Sequence, residues 1–501
     1  MGGFVSIPEY AGTEPLYRPG SVTIKNLPND TLLEIFSFYV EEAYESCEFR
    51  KFERIDAWIT LVHVCQKWRD LAFASSHRLN LRILCTNGRP AREMLDIWPT
   101  LPIVIWYQEL DDDRSLPRME AQDADNIISS LGHRDRVSQI SLMNLPPSLL
   151  DRLVATMQES FPALTYLELE PMDDESTVDL QDSFLGGSAP CLRSLRLHST
   201  RFTTLQKLLL SANDLVDLHL LMIPVSGYIP PEAMVLCVSS LTRLEDFRLG
   251  FQSPGMGPRP PIRLPPPTRV HLPSLTNLWF SGNSDYLDQF VASINAPLLY
   301  VFEMVFLNQI YFDILQLTEF IDRVEKFKVL DRAEAHFYDE VVNVILSSQK
   351  ETVDRPILAV HNRCGPSDWH FLALAEVHSS FSSLLASLER LDITEDPDLP
   401  PLLQDLQDDL GNLDWLHILF PFTAVKDLYL SGVPGLRVAR ALQELDEDRV
   451  TVVVPALQHI FLEGAQPSEA LLEAIGPFNA ARQLSGHPVT VDFWEEEEAE
   501  D

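Results

Sequence analysis

From residue 137 onward a six-residue pattern, apolar-x-x-apolar-x-apolar, recurs along the chain. It begins at Val137, Leu164, Leu192, Leu215, Leu244, Leu275, Leu299, Val324, Leu388, Val425 and Leu457. From Val137 to Val324 the intervals are 27, 28, 23, 29, 31, 24 and 25 residues. A unit of that length holds one strand and one return segment, and alone it cannot bury both faces of its strand. Units of this kind stack, and their strands then form one parallel sheet. Pro162, Pro190, Pro273, Pro297 and Pro455 stand two positions before five of the starts. Proline there ends a preceding helix and favours extended backbone. Several starts also follow an amphipathic stretch. Ser148 is placed to cap a helix bearing Leu149, Leu150, Leu153, Val154 and Met157, and the groups Leu287, Phe290, Val291, Ile294 and Thr318, Phe320, Ile321, Val324 repeat the arrangement.

The helix, proline stop and strand together resemble an irregular leucine-rich repeat. The Asn or Cys usual three residues past the strand in that family is present clearly only at Asn283. The 64-residue gap from Val324 to Leu388 is expected to hold one further strand, Ile357 to His361, with a helix around Tyr338 to Leu346. Residues 253–272 contain seven prolines and read as a projecting loop. Within them Pro258, Pro261 and Arg263 have the spacing of a proline-rich ligand motif, although an ordinary exposed loop is the expected reading. Residues 494–501 read as an acidic, solvated tail.

The N-terminal part follows another rule. Residues 1–21 show no period and read as a flexible lead-in. From Leu27 the apolar residues Leu32, Ile35, Phe36, Tyr39, Val40 and Ala43 recur at helical spacing, with Pro28 suited to the first turn and Thr31 and Glu34 to a capping box. A charged stretch at 41–54 interrupts the pattern. A second helix is expected beyond it, carrying Trp58, Val62, Cys65 and either Trp68 or Leu71 on its inner face. The segments Asn-Leu-Pro-Asn-Asp-Thr-Leu-Leu-Glu-Ile-Phe (26–36) and Val-Cys-Gln-Lys-Trp-Arg-Asp-Leu-Ala (64–72) resemble the F-box. That helical module docks its protein onto a Skp-type adaptor of a cullin-based ubiquitin ligase. The resemblance implies that Leu27, Pro28, Leu32, Ile35, Phe36, Val64, Cys65, Trp68 and Leu71 form the adaptor-binding and helix-packing positions. Asp30 replaces the usual Glu, Thr31 stands where an aliphatic residue is common, and the 41–54 stretch lengthens the spacing. The whole chain is similar to the large fungal (basidiomycete-type) group of F-box proteins with irregular leucine-rich repeats.

The expected fold class is therefore α/β. A small N-terminal helical F-box-like module at 22–90 precedes an irregular leucine-rich-repeat-like solenoid with a parallel sheet at 91–493. The resemblance implies the substrate-recognition subunit of an SCF-type ubiquitin ligase, not an enzyme, with a protein substrate held by the repeats. The alternative from another class is a non-catalytic scaffold or sensor.

Charge narrows the partners. Residues 1–90 hold 10 basic and 11 acidic residues, so almost all of the net −36 falls on the remainder. This argues against nucleic acid, which needs cations facing phosphates, and weakly favours a basic partner. A membrane is not expected, since the most apolar segment, Ile97 to Tyr107, is short and broken by Pro99 and Pro102. No basic-then-apolar leader opens the sequence. Gly2 fits a loose myristoylation pattern, but an unmodified terminus is expected because no basic patch lies nearby. Six scattered cysteines (47, 65, 85, 191, 237, 364) read as reduced thiols of a cytoplasmic or nuclear protein. No phosphate loop, metal-ligand spacing or nucleophile motif is present, so no cofactor, metal or catalytic residue is expected. Asp111 to Asp113 and Asp173 to Glu175 read as solvated turns, and His63 as structural.

Overall fold

A computed structural model describes residues 27–45, 57–87, 91–98, 100–108, 121–173, 176–202, 205–252, 268–307, 309, 314–337, 341–348, 356–363, 380–395, 412–445, 449–463 and 469–494. The lead-in at 1–21, most of the charged 41–54 stretch, most of the proline-rich segment, Asp111 to Asp113 and the residues after Trp494 lie outside them. The chain divides into two compact units, residues 1–84 with 91–104, and residues 85–90 with 105–501.

In the first unit three helices, α1 (Asn29–Glu45), α2 (Trp58–Val64) and α3 (Gln66–Ala74), pack around Leu32, Leu33, Phe36, Val40, Trp58 and Val62. The Pro28 carbonyl accepts the first helical bond from Leu32 N, so Pro28 stands just outside α1, and the helix starts earlier than the Thr31/Glu34 capping box implies. The second helix expected from the sequence is two helices. Cys65 is extended (φ −161°, ψ 168°) and breaks it, and Arg69 Nε donates to the Val62 carbonyl that the break leaves without a helical partner (3.0 Å). The break lets α3 fold back on α2. Trp58 then meets Phe73 and Trp98 at centroid distances of 6.0 and 5.2 Å, while its indole N–H donates to Arg82 O.

Among the described residues the chain forms a sixteen-stranded sheet, which begins with Ile83–Cys85 and Ile103–Gln108. The fold is thus α/β with a large, mostly parallel sheet. The next seven strands, Val137–Leu145, Tyr166–Pro171, Ser194–His198, Asp217–Ile223, Asp246–Phe251, Asn277–Gly282 and Val301–Leu307, lie side by side in chain order and pair in parallel. Chain order then inverts. Val301–Leu307 pairs with Ile357–Arg363, which pairs antiparallel with Val341–Ser347, which pairs antiparallel with Arg332–Phe337. From Arg332–Phe337 the parallel order resumes through Arg390–Glu395, Asp427–Leu430, His459–Glu463 and Thr490–Trp494.

Two expectations for this region are corrected. Val341–Ser347 is a strand, not part of a helix: Val342, Val344 and Leu346 are buried while Asn343, Ile345 and Ser347 are less so, a period of two in a segment rich in β-branched residues. The pattern beginning at Val324 leads into a 3₁₀ turn, Glu325–Val329, and the strand enters at Leu330, with Ala333 and Ala335 filling the next apolar positions. Alanine carries so little apolar signal that the true start is easily passed over. Among its described residues the 64-residue gap consequently holds three strands, the expected Ile357 segment among them.

The prolines act more specifically than as helix stops. In each case the start residue donates its N–H three residues back, as Leu164 to Phe161, Leu192 to Ala189 and Leu457 to Val454, so proline occupies the second position of a β-turn. Leu164, Leu192, Leu215, Leu244, Leu275 and Leu299 are fully buried where these turns close. Strand entries are tied by a recurring bond pair. The Arg193 carbonyl accepts from Val216 N and Asp217 N, Val216 from Glu245 and Asp246, and Glu245 from Thr276 and Asn277. This fixes register from one strand to the next.

Helices cover the apolar face, including Pro147–Thr156 with Leu150, Leu153 and Val154 buried, and Ser284–Ala292 with Leu287, Phe290 and Val291 buried. Ser148 is inside the first turn and the Pro146 carbonyl takes the capping bonds. Asn283 caps the helix after its strand, its side chain accepting from Asp285 N (2.7 Å). The helix Gly432–Gln443 approaches its strand so closely that a Cβ on Gly435 would lie 3.1 Å from the Leu430 carbonyl carbon. Gly435→Ala is therefore expected to lower stability by about 1–2 kcal/mol, read as a lower urea midpoint with unchanged slope.

Candidate functional site

The strand face opposite the buried leucines is polar, and its side chains are organised by the register. In the first parallel run Ser141 Oγ and Tyr166 Oη both donate to Glu168 Oε2 (2.7 Å each), and the Arg196 guanidinium lies 5.7 Å over the Tyr166 ring. Burial, then the Glu168 charge, pushes the Tyr166 hydroxyl well above its ordinary value. Two strands on, Asp246 lies 3.4 Å from His219 Nε2 and 3.2 Å from Arg248 Nε. Burial alone would raise the Asp246 carboxyl, but His219 and Arg248 outweigh it and hold it below the usual range.

A denser network marks the end of the inverted segment. Asp392 accepts from Arg332 Nε (2.9 Å) and from Arg390 Nε and Nη2 (2.7 and 2.9 Å), so one carboxylate holds two guanidinium groups. Glu334 lies 3.1 Å from Arg332 and 3.4 Å from His336 Nε2, and Thr394 Oγ1 is 2.8 Å from His336 Nδ1. Burial would raise the Glu334 carboxyl. The hydrogen bond from His336 and the charges of Arg332, His336 and Arg390 prevail and lower it. A cavity of about 390 Å³ opens beside Arg332, Glu334, Ser347 and Arg390.

Beyond this network the same face becomes aromatic. The Arg390 guanidinium carbon sits 3.7 Å from the centroid of Tyr429. Tyr429 stacks on Phe461 (4.4 Å, 14°) and meets Trp494 edge-on at 5.6 Å. The row Glu334, Asp392, Tyr429, Phe461, Asp492 crosses five adjacent strands in register. No periodic signal announces it, because its members are 30 to 60 residues apart and become neighbours only through pairing.

In the first unit the motif positions divide in two. Leu32 and Phe36 are wholly buried, and Phe36 packs on Trp68 at 4.8 Å, so these two reach a partner only through the shape they impose. Leu27, Trp68 and Leu71 are half-buried, while Pro28 and Cys65 are exposed. A second apolar stripe of α1, spaced at three and four residues, remains open: Ile35 is 41% exposed, Tyr39 41% and Phe38 68%. Lys67 Nζ donates to the Leu27 carbonyl (3.3 Å), which brings the α2–α3 junction, with Val64 56% exposed, beside the start of α1. Phe38 belongs to no motif position, and its helical spacing from Ile35 was the available signal.

Among the described residues no group of three or more His, Cys, Asp or Glu is placed to hold a metal, and no helix is long and apolar enough to cross a membrane. No protein-family model matches this chain, and no curated protein is significantly similar to it.

Proposed function

We propose that the chain is the substrate-recognition subunit of a cullin-based SCF-type ubiquitin ligase, docking through an F-box-like helical module and holding a protein substrate on a leucine-rich-repeat-like sheet. The observation that carries this reading is the doubled apolar surface of α1. One stripe is spent on the core, while Ile35, which the resemblance assigns to the adaptor, remains exposed together with its helical neighbours Phe38 and Tyr39. A helix presenting apolar anchors at three-and-four spacing suits a partner groove. The polar sheet face is the corresponding substrate surface. The two sites together act by proximity, which makes ubiquitin transfer effectively intramolecular. Such a ligase works in the cytoplasm or nucleus.

The test is co-purification with a Skp-type adaptor. Wild type is expected to bind. Ile35→Asp and Phe38→Asp should each weaken binding by about thirtyfold or more, the loss of one anchor worth about 2 kcal/mol. Because both side chains are exposed, the helical signal should be unchanged. Leu32→Ala should act instead through stability. A wild-type chain that does not associate with the adaptor overturns the proposal. Association without ubiquitination of any bound protein leaves a scaffold.

A further inference from the structure

We infer that the last three strands of the sheet form a docking site for an extended, Arg- and Lys-bearing protein segment, with the Phe461 and Trp494 rings, beside the Tyr429 that Arg390 already occupies, receiving its cationic side chains. This rests on reading the polar sheet face as the substrate-holding surface, and it specifies the substrate's chemistry.

Three observations converge on these strands. Asp427–Leu430, His459–Glu463 and Thr490–Trp494 carry Asp427, Glu463 and Asp492 on their polar face and no lysine or arginine anywhere. Asp427 lies in register between Arg390 and His459, whereas Asp492 stands opposite Phe461 and Glu463 opposite Trp494, with no cationic residue as register partner. The rings of Tyr429, Phe461 and Trp494 form a continuous strip beside them, half-buried and open on the polar face. Finally, the molecule already places one cation on this strip, with Arg390 lying flat on Tyr429 at 3.7 Å while Asp392 grips its nitrogens. A guanidinium held between an aromatic face and a carboxylate is the arrangement that an incoming arginine would repeat at Phe461 and Trp494, with Asp492 and Glu463 as its acceptors.

Charge complementarity selects this occupant over others. An acidic or phosphorylated segment would meet the three carboxylates. A purely apolar segment would leave those carboxylates desolvated.

The experiment uses the full chain and a fluorescein-labelled peptide of Gly-Arg-Ser-Lys repeated three times, followed by anisotropy, with Gly-Glu-Ser-Gln repeated three times as its counterpart. The basic peptide should bind at least about tenfold more tightly, and less tightly as salt is raised. Phe461→Ala and Trp494→Ala, which leave the charge unchanged, should each weaken binding by about tenfold. Phe461→Leu keeps an apolar side chain of similar bulk without the ring, and serves if the alanine variant unfolds. Asp492→Asn with Glu463→Gln should weaken binding several-fold. Asp151→Asn with Asp322→Asn, an equal charge change on helices, should not.

The inference is overturned if removing either ring has no effect. It is also overturned if the helix-face neutralisations weaken binding as much as Asp492→Asn with Glu463→Gln, since the attraction is then only the diffuse field of an acidic protein. The peptide assay needs no adaptor, and Ile35→Asp should leave it unchanged. Failure here with adaptor binding intact refutes the docking site alone, and the reverse result refutes the ligase reading alone.

Discussion

Replacing Arg482 by alanine is expected to destabilise the C-terminal end of the sheet unit by about 3–5 kcal/mol. Arg482 lies in the helix Glu469–Leu484 and is 1% exposed, and its guanidinium is occupied by main-chain carbonyls. Nη1 donates to Val450 O at 3.2 Å and Nη2 to Leu457 O at 3.0 Å, with Pro455 O at 3.5 Å and Phe478 beneath. These carbonyls flank Val454, a buried β-branched residue held at φ 47°, a conformation that costs of order 1–3 kcal/mol and persists only when its surroundings impose it. Removing the guanidinium orphans the carbonyls, opens a cavity and releases the turn at once. Arg482→Met keeps the aliphatic bulk and should recover part of the loss; the difference between the two variants measures the hydrogen bonds. Hydrogen exchange should place the damage in residues 450–494, because in a stacked array each unit leans mainly on its neighbours. Protection spread evenly over the sheet, or a loss below about 1 kcal/mol, would count against the bracing role.

What the sequence revealed depended on whether the signal was local. Five strand starts were legible because proline stands two residues before a buried leucine, as in Pro162 and Leu164; that proline was expected only to stop a helix, and the β-turn it makes was not foreseen. The parallel pairing was legible because the spacing is too short for anything but stacking. The inverted segment was not. Its entry, Leu330 with Ala333 and Ala335, has the right spacing but small side chains, and Val-Val-Asn-Val-Ile-Leu fits a strand or a buried helix equally by hydrophobicity alone. The break at Cys65 was hidden for another reason: the residue that stabilises it, Arg69, acts four positions later through its side chain.

The site divides similarly. The motif at 26–36 and 64–72 pointed to the helical unit, yet Leu32 and Phe36 proved to be core, since a helix that both packs and docks needs two stripes and a motif does not say which is which. The aromatic strip and the Asp392 network were not legible at all. Tyr429, Phe461 and Trp494 are made neighbours by strand register, and register is a property of pairing, not of any one segment.

Asp392→Ala should have the second large effect, about 2–3 kcal/mol, because it strands Arg332 and Arg390 side by side without their shared carboxylate. The arginine side chains retain some exposure, 29% and 22%, which limits the cost relative to a fully buried pair. The loss falls where parallel order resumes after the inverted strands, at the pairing of Arg332–Phe337 with Arg390–Glu395, so it should uncouple the C-terminal strands from those before them. It should also loosen Arg390 from Tyr429 and with it one end of the aromatic strip. The same network sets a pH response through Glu334, whose folded carboxyl lies below its ordinary value. A group depressed in this way contributes stability that is present above its unfolded pKa and lost as pH falls through the folded one. The urea midpoint should therefore drop as pH falls below about 4, the ordinary range of a glutamate. Glu334→Gln should start from a lower midpoint at neutral pH and show a shallower decline. A midpoint that falls as steeply in Glu334→Gln as in wild type would mean that other carboxylates, Asp246 among them, carry the acid response and that the Arg332–Glu334 contact adds little.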